Sequence, residues 1–337
     1  MGSSMLDLKL ILPEEEQERI SQSDEIYNII IIGGGPAGMT SAVYAARKQI
    51  KTLMISKDIG GQLLWTSDIE NYMGFQYISG KELTEKFRSQ MEQFPIVDIV
   101  LNNTVEKLEK ADGNFIVTTT DSKKYTGKTI IIASGKRYRP MNVSGEKELV
   151  GKGVSYCATC DAPLFAGKNV MVVGGGNSAL TSVIDLMGLA NKIYVVNIMD
   201  SWQADTILLE KTKDATNVEW LLSHRVTGIN GEKYVTGASV ESVKTKEVKN
   251  LNVQGVFIEI GLIPNSEFAK GFVLQNTLGE IVVDCSCQTS LSGVFAAGDV
   301  TTVPDKQISI AIGEGSKAAL SAYKYLITDG QDEAFIH

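Results

Sequence analysis

With 337 residues, 43% of them hydrophobic, the chain has the length for two ordinary domains and the apolar surface to fill two cores, which excludes a disordered protein. A formal net charge of -8 gives no global attraction to nucleic acid or to an anionic membrane, and no apolar run approaches the roughly 20 residues of a membrane-spanning helix. Four cysteines in two close pairs are too few for a secreted disulfide scaffold, so a soluble, cytoplasmic protein is expected.

Residues 1–25 read as an N-terminal extension that begins with a tag-like Met-Gly-Ser-Ser and lacks the basic start and cleavage site of a secretory signal. The branched apolar run 27–32 then predicts a strand. It leads into Gly33-Gly34-Gly35-Pro36-Ala37-Gly38 and a helical pattern through Ala45. This strand, glycine turn and helix match the dinucleotide fingerprint, in which glycines allow close backbone approach and the helix N-terminus faces a pyrophosphate. The next strand, 52–55, ends at Ser56, where a ribose-gripping carboxylate would stand.

Cys157-Ala158-Thr159-Cys160 has the spacing of a redox disulfide or of half a zinc site. Redox is the better reading and no metal is expected. Cys285 and Cys287 are poorly spaced for zinc, and His224 and His337 are the chain's two imidazoles. Asp161 directly follows the pair and is either an acid–base partner for thiol exchange or the cap of a turn before Pro163. A second strand at 169–173 opens into Gly174-Gly175-Gly176-Asn177-Ser178-Ala179 and a helix to about Leu189, and the following strand, 193–196, ends at Asn197. One glycine loop alone is an ordinary strand-to-helix turn often enough; two in the same context are not. The alternation over 281–289 predicts a strand with Cys285 and Cys287 on one face as small buried thiols.

The order of parts, glycine loop, Cys-x-x-Cys-Asp, second glycine loop and then Gly293-Val294-Phe295-Ala296-Ala297-Gly298-Asp299, resembles low-molecular-weight thioredoxin reductase from about residue 27 to 326. The resemblance implies an α/β fold of two Rossmann-like dinucleotide-binding domains, the second inserted into the first. The FAD-binding domain would be 26–140 plus 265–327, the inserted NAD(P)H-like domain 141–264, and 328–337 a C-terminal tail. It implies FAD held by Gly33, Gly35, Pro36, Ala37 and Gly38, by Gly61, Gln62, Leu63 and Asn71, by Ala133 and Gly135, and by Gly298, Asp299, Lys306 and Gln307. It further implies that Cys160 faces the flavin, that Cys157 attacks the disulfide of thioredoxin or a thioredoxin-like protein, that Asp161 manages protons, and that the protein is a homodimer.

One departure bears on the electron donor. NADPH-using members carry a cluster of arginines after the second strand of the inserted domain, where this chain has Asn197, Ile198, Met199 and Gln203. Each lost charge-assisted bond to a 2′-phosphate weakens binding by roughly 1.5–3 kcal/mol. Thr181 and Ser182 replace paired glutamates of the family, and Asn197 offers no anionic grip for NADH. These losses resemble the ferredoxin-dependent flavin thioredoxin reductases, so reduced ferredoxin is the expected donor. Lys136-Arg137-Tyr138-Arg139 is either its basic docking surface or a solvated basic turn. The alternatives are an NADPH-dependent thioredoxin reductase with atypical recognition through Lys211 or Lys213, and a flavin redox sensor without turnover. Phe335 and His337 in the tail would either stack on a partner subunit's flavin or remain free.

Overall fold

A computed structural model describes residues 25–65 and 69–328; the N-terminal extension up to residue 24 and the tail with Phe335 and His337 lie outside them. The chain starts with β1 (Ile26–Gly34), α1 (Pro36–Arg47), β2 (Thr52–Ile59), α2 (Gly80–Glu92), β3 (Val97–Val100), β4 (Val105–Ala111), β5 (Asn114–Thr119) and β6 (Lys124–Ile132). Ile29, Ile30 and Ile31 are completely buried, as expected of a central parallel strand covered on both faces. The strand order is β3-β2-β1-β6-β5-β4, with β4 and β5 forming an antiparallel arm on an otherwise parallel sheet.

Next come β7 (Lys136–Tyr138), β8 (Val154–Ser155), α3 (Ala158–Asp161), β9 (Asn169–Val173), α4 (Asn177–Met187), β10 (Lys192–Asn197), α5 (Thr206–Thr212) and β11 (Val218–Leu222). An antiparallel trio, β12 (His224–Gly231), β13 (Val235–Ser242) and β14 (Val248–Leu251), precedes β15 (Gly255–Ile258) and β16 (Leu262–Pro264). The second sheet runs β11-β10-β9-β15-β8, and its pairings are parallel. Side chains of β9 alternate between two cores, as the period of two requires. Val170 and Val172 pack with Ala179, Leu180 and Val183 of α4, while Met171 and Val173 pack with Val226, Ala238 and Val240 of the antiparallel trio.

The chain then returns to the first sheet, where β17 (Val294–Ala296) pairs with β6, and α6 (Ile308–Ile327) packs on α1. Small residues allow that close approach: Ala42, Ala45 and Ala46 share a core with Ala318, Ala319 and Ala322. The two crossings between the sheets pair with each other, β7 against β16 antiparallel, with Arg139 N–H donating to Gly261 O at 3.1 Å. The α/β fold with two dinucleotide-type sheets is therefore present.

The strand expected at 281–289 is absent. Asp284 caps a turn instead, accepting from the N–H groups of Ser286 and Gln288 at 2.8 Å each, and Cys287 takes φ 64°. Cys285 is consequently exposed and Cys287 buried, so the two do not share a face.

Candidate active site

The first glycine loop is built for a backbone that approaches closely. Gly33 has φ 114°, and a β-carbon at Gly38 would be driven into the Gly33 carbonyl. Gly35 opens onto free space, and α1 starts with Pro36 at its N-terminus and no capping side chain. The N–H groups of Ala37 and Gly38 thus stand at the positive end of the helix, the place for a pyrophosphate. Ser56 Oγ, at the ribose position, accepts the Gly34 N–H at 2.8 Å. Gly61 faces Gly35, with Gln62 and a buried Leu63 following in a short 3-10 helix.

Distant segments converge beside this loop. Gln62 Nε2 donates to Asp299 Oδ2 at 3.0 Å, and Asn71 Nδ2 donates to Gln307 Oε1 at 3.2 Å. Ala133 lies against Gly33, and Gly135 O accepts the Asn265 N–H at 3.0 Å. Gly298 packs on Ala37, and its N–H donates to buried Glu314 Oε2 at 2.7 Å. Burial pushes the Asp299 carboxyl up, partly offset by the charges of Lys306 and Lys136 and by the Gln62 bond. Lys306 Nζ donates to Thr301 O at 2.7 Å, and burial lowers its pKa. The open helix N-terminus, the glycine cradle and the polar groups of Gln62, Asn71 and Asp299 fit FAD.

Cys157 and Cys160 form a disulfide, with Cα atoms 5.3 Å apart, across the turn that starts α3. Ser155 Oγ donates to Asp161 Oδ2 at 2.6 Å and accepts the Cys157 N–H at 3.1 Å, so Asp161 is tied to the dithiol through one hydroxyl. Tyr138 of β7 stacks on Tyr156 with ring centroids 4.3 Å apart, and the two rings line a small cleft with Cys157, Cys160 and Asp161. Burial raises the Tyr138 phenol's pKa, and the carboxylates of Asp299, Asp161 and Glu259 add to the shift. Three carboxylates from separate segments therefore bear on one phenol beside the disulfide. Sequence reasoning missed Ser155, Tyr138, Tyr156 and Glu259 as members of this site; for Glu259 the one local signal was an acidic residue directly after an apolar strand.

The second crevice, where β9 and β15 diverge, is where a dinucleotide would lie. Here it is lined by self-bonded side chains. Asn197 Nδ2 donates to Ser201 O at 2.8 Å and reaches Gln203 Oε1 at 3.3 Å, and the Gln203 N–H donates to Gly175 O at 2.7 Å. A β-carbon at Gly175 would strike the Asn197 amide. Ile198 and Met199 stand exposed beyond them, while Trp202 packs edge-on against Trp220. Lys213 is paired with Glu210.

The structure divides the basic segment at 136–139, leaving Arg137 and Arg139 exposed and Lys136 not. Lys136 is largely buried, 9% exposed, in an ion pair with Glu280, and Arg137 pairs with Glu267 at 2.6 Å and with Asn265. β-Pairing with residues 262–264 brings Lys136 and Arg137 to acidic partners that are remote in sequence. Among the described residues no group of three or more His, Cys, Asp and Glu could hold a metal, and no helix is long and apolar enough to cross a membrane.

A family profile described as pyridine nucleotide-disulphide oxidoreductase matches residues 27–315. The chain is 39% identical over 314 residues to the alkyl hydroperoxide reductase subunit designated F in Escherichia coli, covering 92% of this chain and 60% of that protein. It is 42% identical to the subunit of the same name from Xanthomonas campestris, covering 90% and 58%. The chain thus spans about 60% of the length of the curated relatives it matches. Among solved structures it is similar to a thioredoxin reductase of Streptococcus pyogenes, with TM-score 0.86, 38% identity, and 91% of this chain and 100% of that one covered. A thioredoxin reductase from Giardia duodenalis gives TM-score 0.84 at 32% identity, with 90% and 99% covered.

Proposed function

The chain belongs to the pyridine nucleotide-disulphide oxidoreductase family, and we propose that it reduces the disulfide of thioredoxin or a thioredoxin-like protein through Cys157 and Cys160, with electrons from reduced ferredoxin. It is a flavin disulfide oxidoreductase with FAD as its cofactor. Bound FAD supplies the electron carrier between donor and dithiol. The residues that would hold it are Gly33, Gly35, Pro36, Ala37, Gly38, Gly61, Gln62, Leu63, Asn71, Ala133, Gly135, Gly298, Asp299, Lys306 and Gln307.

The observation that carries the dithiol reading is the Cys157–Cys160 disulfide with Asp161 tied to it through Ser155. In this reading the Cys157 thiolate attacks the partner disulfide, forming a mixed disulfide and expelling one partner thiolate, which is protonated. Cys160 then attacks the Cys157 sulfur, releasing the second partner thiol and re-forming the internal disulfide. Asp161 takes the proton from one cysteine and returns it to a leaving thiolate. The FAD-binding unit is assigned to 26–140 plus 265–327 and the dithiol unit to 141–264, and the working form is a homodimer.

The ferredoxin reading is supported by the second crevice, where Asn197 bonds to Gln203, the Gln203 backbone N–H bonds to Gly175 of the glycine loop, and exposed Ile198 and Met199 offer a phosphate no charge. A second reading, with NADH or NADPH as donor, is favoured by the family description and by the retained second glycine loop. Anaerobic addition of each donor to the flavoprotein separates the two. Bleaching of the flavin spectrum by ferredoxin, reversed by oxidised thioredoxin, is the expected outcome; rapid bleaching by NADH or NADPH replaces the ferredoxin reading with the second one.

A further inference from the structure

Glu259 directly follows β15, and its N–H donates to Val173 O of β9 at 2.8 Å, so the side chain leaves the second sheet where the two strands end together. Its carboxylate accepts from Ser178 Oγ, from Ser182 Oγ at 2.8 Å, and from the Ala158 backbone N–H. Ser178 and Ser182 lie one turn apart on α4, and Ala158 stands between the two redox cysteines. One carboxylate therefore braces the dithiol turn against the helix of the second glycine loop.

We infer that Glu259 is a positioning residue for the dithiol, fixing its turn through the Ala158 N–H and making the Cys157–Cys160 couple a stronger reductant through its negative charge. The inference rests on Cys157 and Cys160 being the redox pair. Reduction breaks the Sγ–Sγ bond, takes up two electrons, and at neutral pH leaves a proton on one sulfur and negative charge on the other in the fraction present as thiolate. A fixed carboxylate nearby opposes that charge, which lowers the reduction potential and favours passing electrons onward. The titratable groups that face this carboxylate are Asp185 on α4 and the Tyr138 phenol on β7, and Asp161 of α3 and Asp299 bear on the same phenol. Burial raises the Glu259 pKa, with the serine and Ala158 bonds opposing the shift.

The test uses the whole flavoprotein, equilibrated without oxygen in dithiothreitol buffers from about pH 6 to 9, where thiols titrate. Dithiothreitol supplies the electrons and is oxidised to its cyclic disulfide; the dithiol fraction is read by alkylation and mass spectrometry. Glu259→Gln keeps the shape and removes the charge. It should raise the equilibrium constant for reduction at high pH about fivefold, an upward shift of about 20 mV, and the gap should narrow as the pH falls and the thiolate that the carboxylate opposes is protonated. The double variant Ser178→Ala with Ser182→Ala removes two donors but keeps the charge, so at high pH its curve should stay closer to wild type than that of Glu259→Gln. A Glu259→Gln curve that coincides with wild type, or that is displaced by the same amount at every pH, overturns the inference. If wild type instead reduces no protein disulfide, or Cys160→Ser does so as well as wild type, the dithiol reading itself is lost.

Discussion

Cys287 is buried at φ 64° behind the Asp284 turn, and burial pushes its thiol up to about 12, whereas Cys285 two positions away is exposed. Alkylation needs the thiolate and access to it. Iodoacetamide at neutral pH should therefore modify Cys285 of the native oxidised protein and reach Cys287 after denaturation; peptide mass analysis reads both. On the proposed mechanism Asp161→Asn removes the proton carrier and should lower turnover with thioredoxin by about 10²-fold or more, while Cys157 and Cys160 remain able to form their disulfide. At this scale, chemistry that is local in sequence was legible. The Cys157 and Cys160 pair was readable from its spacing, and the structure joins the two in a disulfide. Glu259 was not readable in this way, because its serine partners lie 77 and 81 positions away, and neither serine looks functional by itself.

Elements with one dominant physical cause were likewise readable: β1 and β9 as strands from their apolar, mostly branched runs 29–32 and 170–173, and α1 and α4 as helices opened by glycine loops. The misread segment was 281–289, where alternation suggested a strand but the Asp284 side chain captured the backbone N–H groups. Burial on both sides of a turn mimics a period of two. The loop after β10 offers a direct test of the proposed weakness toward NADPH. Ile198→Arg with Met199→Arg places two cations on exposed positions beside the glycine loop, each able to gain roughly 1.5–3 kcal/mol with a 2′-phosphate. NADPH affinity, measured by fluorescence titration, should tighten at least about tenfold, with little change for NADH. Equal gains for both nucleotides would show that phosphate recognition was not what the loop had lost.

For the whole molecule, the internal charge set Lys136, Glu280 and Lys306 holds the crossing β7 close to the segment carrying Asp299. Burial raises the Glu280 pKa, but the Lys136 and Asn276 bonds and the lysine charges outweigh it, and the carboxyl lies below its usual range. A lowered carboxyl pKa contributes stability above the unfolded value, near 4.3, that is lost as the pH falls through the folded one. Glu280→Gln should thus destabilise the protein at neutral pH by about 3–5 kcal/mol, because it leaves a buried lysine unpaired. In denaturant melts the deficit should shrink below about pH 4. This arrangement was not legible in the sequence, where 136–139 read as an exposed basic cluster; three-residue strands that pair across more than a hundred positions leave no periodic trace.

The pairing of β17 with β6 also bears on how the chain is made. The parallel sheet gains its last strand from residues that leave the ribosome long after β6 has emerged, so the Ile130–Ile132 edge waits through synthesis of the whole intervening unit. That unit need not hold the wait open. Once it folds, the bond from Arg139 to Gly261 brings its entry and exit together, and the strand still to come is tethered as if by a hairpin, with a correspondingly small entropic cost of closure. The order of synthesis thus makes early folding of the inserted unit the step that shelters the unfinished sheet from sticking to its neighbours.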